Sequence, residues 1–123
     1  YDMMMIKDNH IDFAGGIKQA IEKAVSYQES KGLSLKIEVE ARDLKEVEEI
    51  LAVGQIHRIM LDNFSYKDTR IAVEMIDGKY ETEASGGITE KTIRAHAECG
   101  VDFISVGALT HSVSSLDLSL KAI

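Results

Sequence analysis

Apolar residues recur along the chain with two alternating spacings. Short apolar runs predict strands, and the longer segments between them repeat apolar residues about every three to four positions, as helices do. The predicted strands cover residues 3–6, 36–40, 58–61, 82–84 and 103–106. Because helical segments separate these strands, the pattern predicts a strand–helix repeat that builds a parallel sheet.

The ends of the helical segments carry recognisable signals. Asp43 with Glu46, and Ser65 with Asp68, have the spacing of a capping box, and Thr89 is the expected N-cap of the last helix. A glycine follows each helical segment and predicts where it ends, at Gly32, Gly54, Gly78 and Gly100. Four full helices are therefore expected among the five strands.

The length of the chain limits which parallel fold it can complete. A closed α/β barrel takes about eight strands and roughly 250 residues, whereas this chain has 123 residues. We therefore expect a single α/β domain over residues 1–123, with a parallel βα repeat that is part of an incomplete, open TIM-like barrel. A flavodoxin-like open sheet fits the pattern as well. Because Tyr1 is followed almost at once by an apolar run, we also expect the chain to start inside a domain.

Charge and composition argue against several classes of function. The formal net charge is −7, which disfavours a surface for nucleic acid or for an anionic membrane. The apolar runs are far shorter than the roughly 20 residues that span a bilayer. Cys99 is the single cysteine, so an internal disulfide is impossible and a reducing cytoplasm is the expected location.

Polar residues and glycines occur where the predicted strands end. They are Lys7, Glu40, Asp62, Asn63, Ser85, Gly86, Gly87 and Gly107, which Ala108 follows in the last loop. Parallel α/β folds place their active sites at these carboxyl ends. The sequence therefore predicts an active site along one edge of the parallel sheet.

Two carboxylates, Glu40 and Asp62, are candidates for binding a sugar or a metal ion. Glu38 and Glu40 lie two residues apart on one strand and share a face, which points inward in a barrel. An inward carboxylate is costly unless a cation accompanies it. Glu40 and Asp62 could therefore hold Mg²⁺ through water or bind sugar hydroxyls. The alternatives are a structural Glu–Lys pair for Glu38 and Glu40 and an N-cap-like turn residue for Asp62.

Two glycine-containing loops are candidates for binding a phosphate. Residues 85–87 precede the helix expected at Thr89, and the N-terminus of that helix would add positive potential. Residues 107–108 open a second loop of this kind. The alternative is two tight turns that bind no ligand.

Three basic side chains lie near these strand ends. Lys7 could meet a carboxylate or a phosphate, or it could form a salt bridge with Asp8 or Glu40. His10 and His111 are weaker candidates, because a lone histidine more often makes an ordinary polar contact.

Five blocks of the sequence resemble one enzyme family. They lie at residues 5–11, 37–40, 60–64, 83–88 and 105–112, and they read MIKDNHI, IEVE, MLDNF, EASGGI and SVGALTHS. In this order and spacing they are similar to quinolinate phosphoribosyltransferases, also called nicotinate-nucleotide pyrophosphorylases (carboxylating). The resemblance extends over nearly the whole chain.

The resemblance implies a fold and a reaction. In the family an N-terminal α+β domain precedes an incomplete α/β barrel, of which this chain would be the C-terminal part. The enzyme would transfer phosphoribose from 5-phosphoribosyl-1-diphosphate to quinolinate, releasing diphosphate and carbon dioxide, with Mg²⁺ as cofactor. The product, nicotinate mononucleotide, would enter de novo NAD biosynthesis. The intact enzyme would be a homodimer or a higher homo-oligomer.

The resemblance also implies roles for individual residues. Lys7 would face the anionic substrates, and Glu40 and Asp62 would bind the ribose hydroxyls and, indirectly, the metal–diphosphate region. The ribose 5-phosphate would be held by Ser85, Gly86, Gly87, Gly107, Ala108 and His111.

One part of the family's site is expected to lie outside this chain. In the family, the basic residues that hold the two quinolinate carboxylates precede the block that contains Lys7. We therefore expect the 123 residues to be an incomplete and inactive portion of the enzyme. Two other interpretations are open: a paralogous pyrophosphorylase-like protein on the same scaffold, and a fragment that binds phosphate without catalysis.

Overall fold

Six strands form one sheet whose spatial order follows the chain in the computed structural model, which describes residues 3–116. The strands are β1 (Met3–Ile6), β2 (Lys36–Ala41), β3 (Arg58–Asp62), β4 (Glu81–Ser85), β5 (Phe103–Val106) and β6 (Leu109–Ser112). β1 to β5 pair in parallel, and β6 returns antiparallel to β5. A flavodoxin-like sheet reverses its order at a switch point, so this sequential order identifies an open α/β half-barrel.

Helices connect each parallel strand to the next. They are α1 (Asp8–Ala14), α2 (Ile17–Lys31), α3 (Leu44–Val53), α4 (Tyr66–Ile76) and α5 (Ile93–Glu98), and a short 3-10 helix (Val113–Ser115) follows β6. Within residues 3–116, none of these helices has both the length and the apolar character needed to cross a bilayer.

The hydrophobic core lies between the sheet and the helices. Val39, Ile59 and Ile104 point from the strands into this core and are 0% exposed. They pack in one cluster with helix residues such as Ile21 and Ile50. Because neighbouring residues of a strand point to opposite faces, the residues between them face away from the core. That second face carries most of the charged residues of the strands.

All five predicted strands are confirmed, and their ends differ from the predicted ends by at most one residue. The pattern does not predict β6 or α1. β6 contains mostly polar residues and lies at the edge of the described sheet. α1 has only 7 residues and buries only Ile11, so it is too short to display a helical repeat.

Two of the expected helix N-caps are confirmed. Asp43 accepts a hydrogen bond from the Glu46 amide at 2.8 Å, and Ser65 accepts one from the Asp68 amide at 3.1 Å. In a capping box the Glu46 side chain would accept a hydrogen bond from the amide of the N-cap residue, and here it does not. Its carboxylate accepts from the Arg42 amide at 2.7 Å instead of the Asp43 amide.

The N-cap expected at Thr89 is wrong, because α5 begins only at Ile93. Thr89 Oγ1 accepts from the Lys91 amide, and the Thr89 amide donates to Thr92 Oγ1 at 3.0 Å. Such local bonds between threonine side chains and the backbone compete with helix formation. They hold residues 89–92 as a turn.

The four glycines lie at the helix ends as predicted, although two of them are one residue beyond the cap. Gly32 and Gly54 are the C-caps of α2 and α3. Asp77 and Cys99 are the C-caps of α4 and α5, and each precedes its glycine directly.

Candidate active site

The sheet face that points away from the helices carries a polar surface with two levels. We call the lower level the floor: Glu38, Arg58, Glu81 and Glu83. We call the upper level, at the carboxyl ends of the parallel strands, the rim: Lys7, Glu40, Asp62, Asn63, Ser85, Gly86, Gly87, Gly107 and Ala108. The strand registers align Glu38 with Arg58 and Arg58 with Glu81, so the floor is a continuous row.

Glu40 and Asp62 lie together on the rim. Glu40 is opposite Met60, and Asp62 is two residues further along the same face of β3. Burial raises the pKa of Glu40, and the negative charges of Asp62 and Asp8 raise it further. The hydrogen bond from the Asp8 amide and the positive charge of Lys7 lower it, but the pKa stays above its ordinary value. The rim thus concentrates negative charge where a cation or an electron-poor sugar would be stabilised.

Glu40 is also tied to the start of α1. The Asp8 amide donates to Glu40 Oε1 at 3.2 Å, so the first helical residue holds this carboxylate in place. Lys7 lies directly before this helix with an exposed side chain, close enough for its charge to act on Glu40. His10 Nδ1 accepts from the Lys7 amide at 3.2 Å, which is the ordinary polar contact considered above.

Asn63 and Gly86 join two neighbouring loops of the rim. The Asn63 amide donates to the carbonyl of Ser85 at 2.9 Å. Asn63 has a φ of 58° and Gly86 a φ of 96°, both in the left-handed region. A Cβ on Gly86 would lie 2.6 Å from Asn63 Oδ1 and 2.9 Å from the Asn63 amide nitrogen. Only glycine therefore allows the two loops to approach this closely.

The glycine loop at residues 85–87 lies on the rim next to Asp62. Asp62 and Ser85 form the last pair of the β3–β4 register, so both face the same side. Gly87 follows Gly86 with a φ of 65°. The prediction that a helix N-terminus adds positive potential at this loop is wrong, because α5 begins only at Ile93. Whether residues 85–87 hold phosphate stays a prediction.

Gly107 and Ala108 form the two-residue turn of the β5–β6 hairpin, between the paired residues Val106 and Leu109. This turn lies at the rim because β5 ends there. His111 is opposite Ile104, a core residue, and therefore lies on the helix-covered side of the sheet. The structure does not bring His111 onto the face that carries Glu40 and Asp62, and its phosphate contact stays a prediction.

The floor is organised around Arg58, which is 4% exposed. Arg58 Nη1 donates to Glu83 at 3.3 Å, Nη2 donates to Glu81 at 3.1 Å, and the guanidinium carbon lies 3.6 Å from the centroid of the Phe103 ring. Burial, hydrogen bonding with Glu83 and the charge of Glu83 raise the pKa of Glu38 to about 8, despite the charge of Arg58. Arg58 forms its ion pairs with Glu81 and Glu83, and it acts on Glu38 through its charge, which lowers the Glu38 pKa.

The sequence interpretation missed Arg58 and Glu83 as members of this polar surface. The signal was available, because counting every second residue along β3 and β4 gives Arg58 and Asp62, and Glu83 and Ser85. Both series share the face predicted for Glu40 once the strands are aligned.

Glu40 and Asp62 fit an indirect magnesium site. Among residues 3–116, no group of three or more histidine, cysteine or acidic side chains could hold a metal ion. Mg²⁺ is usually bound by one or two carboxylates together with water and substrate phosphates. The two rim carboxylates match that donor set. Magnesium binding at the substrate-bound site stays a prediction.

A cavity of about 890 Å³ lies at the opposite end of the strands and is lined by residues that include His57, Lys79 and Asp102. A smaller cavity of about 350 Å³ adjoins the rim at Asn63 and Gly86. Because parallel α/β folds bind ligands at the carboxyl ends of their strands, we place the candidate site at the rim.

The sequential parallel sheet, with acidic residues and glycine turns at one rim, defines the class of open α/β-barrel proteins. Residues 1–121 match the family model described as "Quinolinate phosphoribosyl transferase, C-terminal domain". The chain belongs to this family.

Relatives of known name match nearly the whole chain. A protein named nicotinate-nucleotide pyrophosphorylase [carboxylating], chloroplastic, from Arabidopsis thaliana is 46% identical over 135 residues, covering 98% of this chain and 39% of that protein. A probable nicotinate-nucleotide pyrophosphorylase [carboxylating] from Methanocaldococcus jannaschii is 43% identical over 129 residues, covering 99% of this chain and 44% of that protein. The chain thus spans less than half the length of these relatives.

A solved structure supports the fold. The nicotinate-nucleotide pyrophosphorylase from Francisella tularensis is similar with a TM-score of 0.78 and 44% sequence identity. The similarity covers 88% of this chain and 37% of that one. The half-barrel described above therefore has the same fold as a portion of that protein.

Proposed function

We propose that this chain supplies the phosphoribosyl-binding side of the active site in a decarboxylating quinolinate phosphoribosyltransferase. The reaction would join quinolinate to 5-phosphoribosyl-1-diphosphate and give nicotinate mononucleotide, diphosphate and carbon dioxide. The names of the relatives support the reaction. The single observation that carries the proposal is the gathering of Glu40, Asp62 and the 85–87 loop on one rim.

The carboxylates would act on the ribose. Departure of diphosphate leaves an electron-poor, oxocarbenium-like sugar, and negative groups fixed beside it stabilise the charge that develops. Burial raises the pKa of Glu40, and the negative charges of Asp62 and Asp8 raise it further. A positively charged sugar would partly neutralise this negative potential. Glu40 and Asp62 would therefore bind the ribose more strongly in the transition state than in the ground state.

The rim loops would hold the phosphate groups. Residues 85–87 lie at the end of β4 and residues 107–108 follow β5, and glycine allows their backbone amides to approach an anion closely. Lys7 would face the anionic substrates from the end of β1. Bound Mg²⁺ would neutralise the leaving diphosphate, with Glu40 and Asp62 as its indirect protein ligands.

The isolated 123 residues are proposed to bind a phosphoribosyl compound without turnover. The chain covers 39% of the Arabidopsis relative. Its formal net charge of −7 favours neither the dianion quinolinate nor a diphosphate, so phosphoribosyl binding would depend on the local backbone amides of the rim loops. The cations that orient quinolinate would come from the rest of the enzyme or from a second subunit of a homodimer. The cytoplasm stays the predicted location, whereas several plant relatives are named chloroplastic or mitochondrial.

A chimaera tests the proposed reaction. Residues 1–123 would replace the matching part of the Methanocaldococcus relative, and release of nicotinate mononucleotide would be assayed with and without Glu40→Ala and Asp62→Ala. We expect a loss of about 10²–10³-fold for each variant, as for other fixed transition-state contacts. Glu49→Ala, on the exposed side of α3, is the matched control. Turnover within about threefold of the unmutated chimaera for both rim variants would refute the role.

Calorimetry tests the isolated chain. Titration with 5-phosphoribosyl-1-diphosphate should give saturable binding, and an assay with quinolinate added should give no product. Turnover equal to that of the chimaera would show that residues 1–123 are catalytically sufficient.

A further inference from the structure

The β5–β6 hairpin reaches the rim with little backbone support from the rest of the sheet. Its parallel pairing with β4 ends at Ala84 and Ile104. Residues 105–108, which include the turn at Gly107 and Ala108, lie beyond that last pair. Side-chain contacts therefore have to fix where the turn lies relative to β4.

The Ser105 hydroxyl provides such a contact. It donates to Glu83 Oε2 at 2.6 Å and lies 3.0 Å from Thr110 Oγ1. A serine hydroxyl has a single hydrogen, and Glu83 accepts it, so Thr110 is the donor to Ser105. The directed chain from Thr110 through Ser105 to Glu83 connects β6, β5 and β4. It crosses the hairpin at the second residue pair from the turn.

Glu83 is a firm anchor for this chain of hydrogen bonds. It is 2% exposed, and its other oxygen accepts from Arg58 at 3.3 Å. Arg58 is held in turn by Glu81 and by the ring of Phe103. The 2.6 Å distance from Ser105 lies in the range of a charge-assisted O–H···O⁻ bond. A Glu83 side chain that turned away from Ser105 would also give up its hydrogen bond with buried Arg58.

We propose that Glu83, acting through Ser105, is a positioning residue that places the Gly107–Ala108 turn for binding the 5-phosphate of a phosphoribosyl ligand. The inference rests on the proposed function, because it takes this turn as part of the phosphate site. A grip built from amides of two separate loops binds well only when the loops keep a fixed separation. The floor sets that separation, although Glu83 itself touches no substrate.

Binding of ribose 5-phosphate to the 123-residue chain tests the inference. Ser105→Ala breaks the hydrogen-bond chain, and Thr110→Val removes its first donor with little change in shape. By calorimetry we expect Ser105→Ala to weaken binding about tenfold and Thr110→Val about threefold, as for loss of a charge-assisted and a neutral bond. Ser112→Ala is the matched control, because its hydroxyl bonds Ser114 at the far end of β6. It should bind within about twofold of wild type.

Variants of Glu83 separate positioning from stability. Glu83→Gln keeps an oxygen that can accept from Ser105, so it should restore much of the affinity that Glu83→Ala loses. The amide resonance of Gly107 should move in Ser105→Ala and Glu83→Ala and stay in place in Ser112→Ala. A purely structural role would lower the melting temperature without changing the affinity of the folded protein or this resonance.

The outcomes distinguish the inference from the proposed function. If wild type binds ribose 5-phosphate and Ser105→Ala binds within about twofold of it, the inference is overturned and the proposed function stands. Absence of saturable wild-type binding contradicts the proposed function, and the inference falls with it. Should Glu83→Ala fail to fold, Ser105→Ala and Thr110→Val still decide the question.

Discussion

The two faces of the sheet are built from the same strands, yet they meet different physical requirements. Val39 and Ile59 on the helix-covered face are 0% exposed and pack in the core cluster. Their neighbours in sequence, Glu40 and Arg58, lie on the other face, where charges and hydrogen bonds replace apolar packing. Residues that build the core and residues that form the candidate site therefore alternate along each strand. A register shift of one residue would exchange them.

The largest difference in stability is expected when a core residue and its polar neighbour on β2 are each replaced by a residue of the opposite polarity. Val39→Glu places an unpaired carboxylate in the core and should lower the free energy of unfolding by more than about 3 kcal/mol. Glu40→Val should change it by less than about 1 kcal/mol, because Glu40 lies on the open rim. Urea denaturation followed by circular dichroism measures both. Similar midpoints for the two variants would show that the faces are not different.

The raised pKa of Glu38 should make stability depend on pH. The folded state holds a proton on Glu38 up to a pH of about 8, whereas the unfolded state releases it near 4.5. Because the folded state binds more protons in this window, the free energy of unfolding should fall as pH rises, by at most about 1.4 kcal/mol per pH unit.

The variant Glu38→Gln isolates this effect. Its free energy of unfolding should lack that decline between pH 5 and 8, whereas exposed Glu49→Gln should follow wild type. The comparison is made by urea denaturation at several pH values. Parallel curves for wild type and Glu38→Gln would mean that the floor does not hold the proton.

The two adjacent glycines of the rim should respond differently to alanine. Gly86→Ala combines a strained φ with a Cβ that meets Asn63, whereas a Cβ on Gly87 meets nothing within 4 Å. We expect Gly86→Ala to cost about 2–3 kcal/mol and Gly87→Ala about 1 kcal/mol. Thermal denaturation measures the difference. Equal losses would indicate that the contact between the two loops contributes nothing.

The smallest expected effect lies in the helix layer, far from the polar face. Asp43→Ala removes the side chain that accepts from the Glu46 amide and should destabilise the chain by about 1 kcal/mol. Glu48→Ala, exposed on the same helix, is the control and should change stability by less than about 0.5 kcal/mol. Neither variant should alter ligand affinity. A loss of affinity in Asp43→Ala would connect α3 to the site in a way the structure does not show.

The strands were predictable because burial on one face imposes a strong apolar pattern. The grouping of Glu40, Asp62 and residues 85–87 was predictable as well, since the carboxyl ends of parallel strands share one edge. β6 was missed because an edge strand with polar residues lacks that pattern.

The features that the sequence did not predict depend on contacts that the pattern of apolar residues does not record. The floor joins Arg58 to Glu83 across 25 residues, and the strand register allows this bond by placing Arg58 opposite Glu81 on the same face. At Thr89 the cap signal was outcompeted by bonds between threonine side chains and the local backbone. The side on which His111 lies follows from the two-residue turn at Gly107 and Ala108, because turn length sets which residues pair.

Amide NMR of the ¹⁵N-labelled chain, titrated with ribose 5-phosphate, tests whether the rim binds a phosphorylated sugar. We predict saturable shifts at residues 62–63, 85–87 and 107–108, with the amides of His57, Lys79 and Asp102 in the opposite cavity unchanged. Shifts confined to that opposite cavity, or none at the rim, would show that the rim is not the binding site.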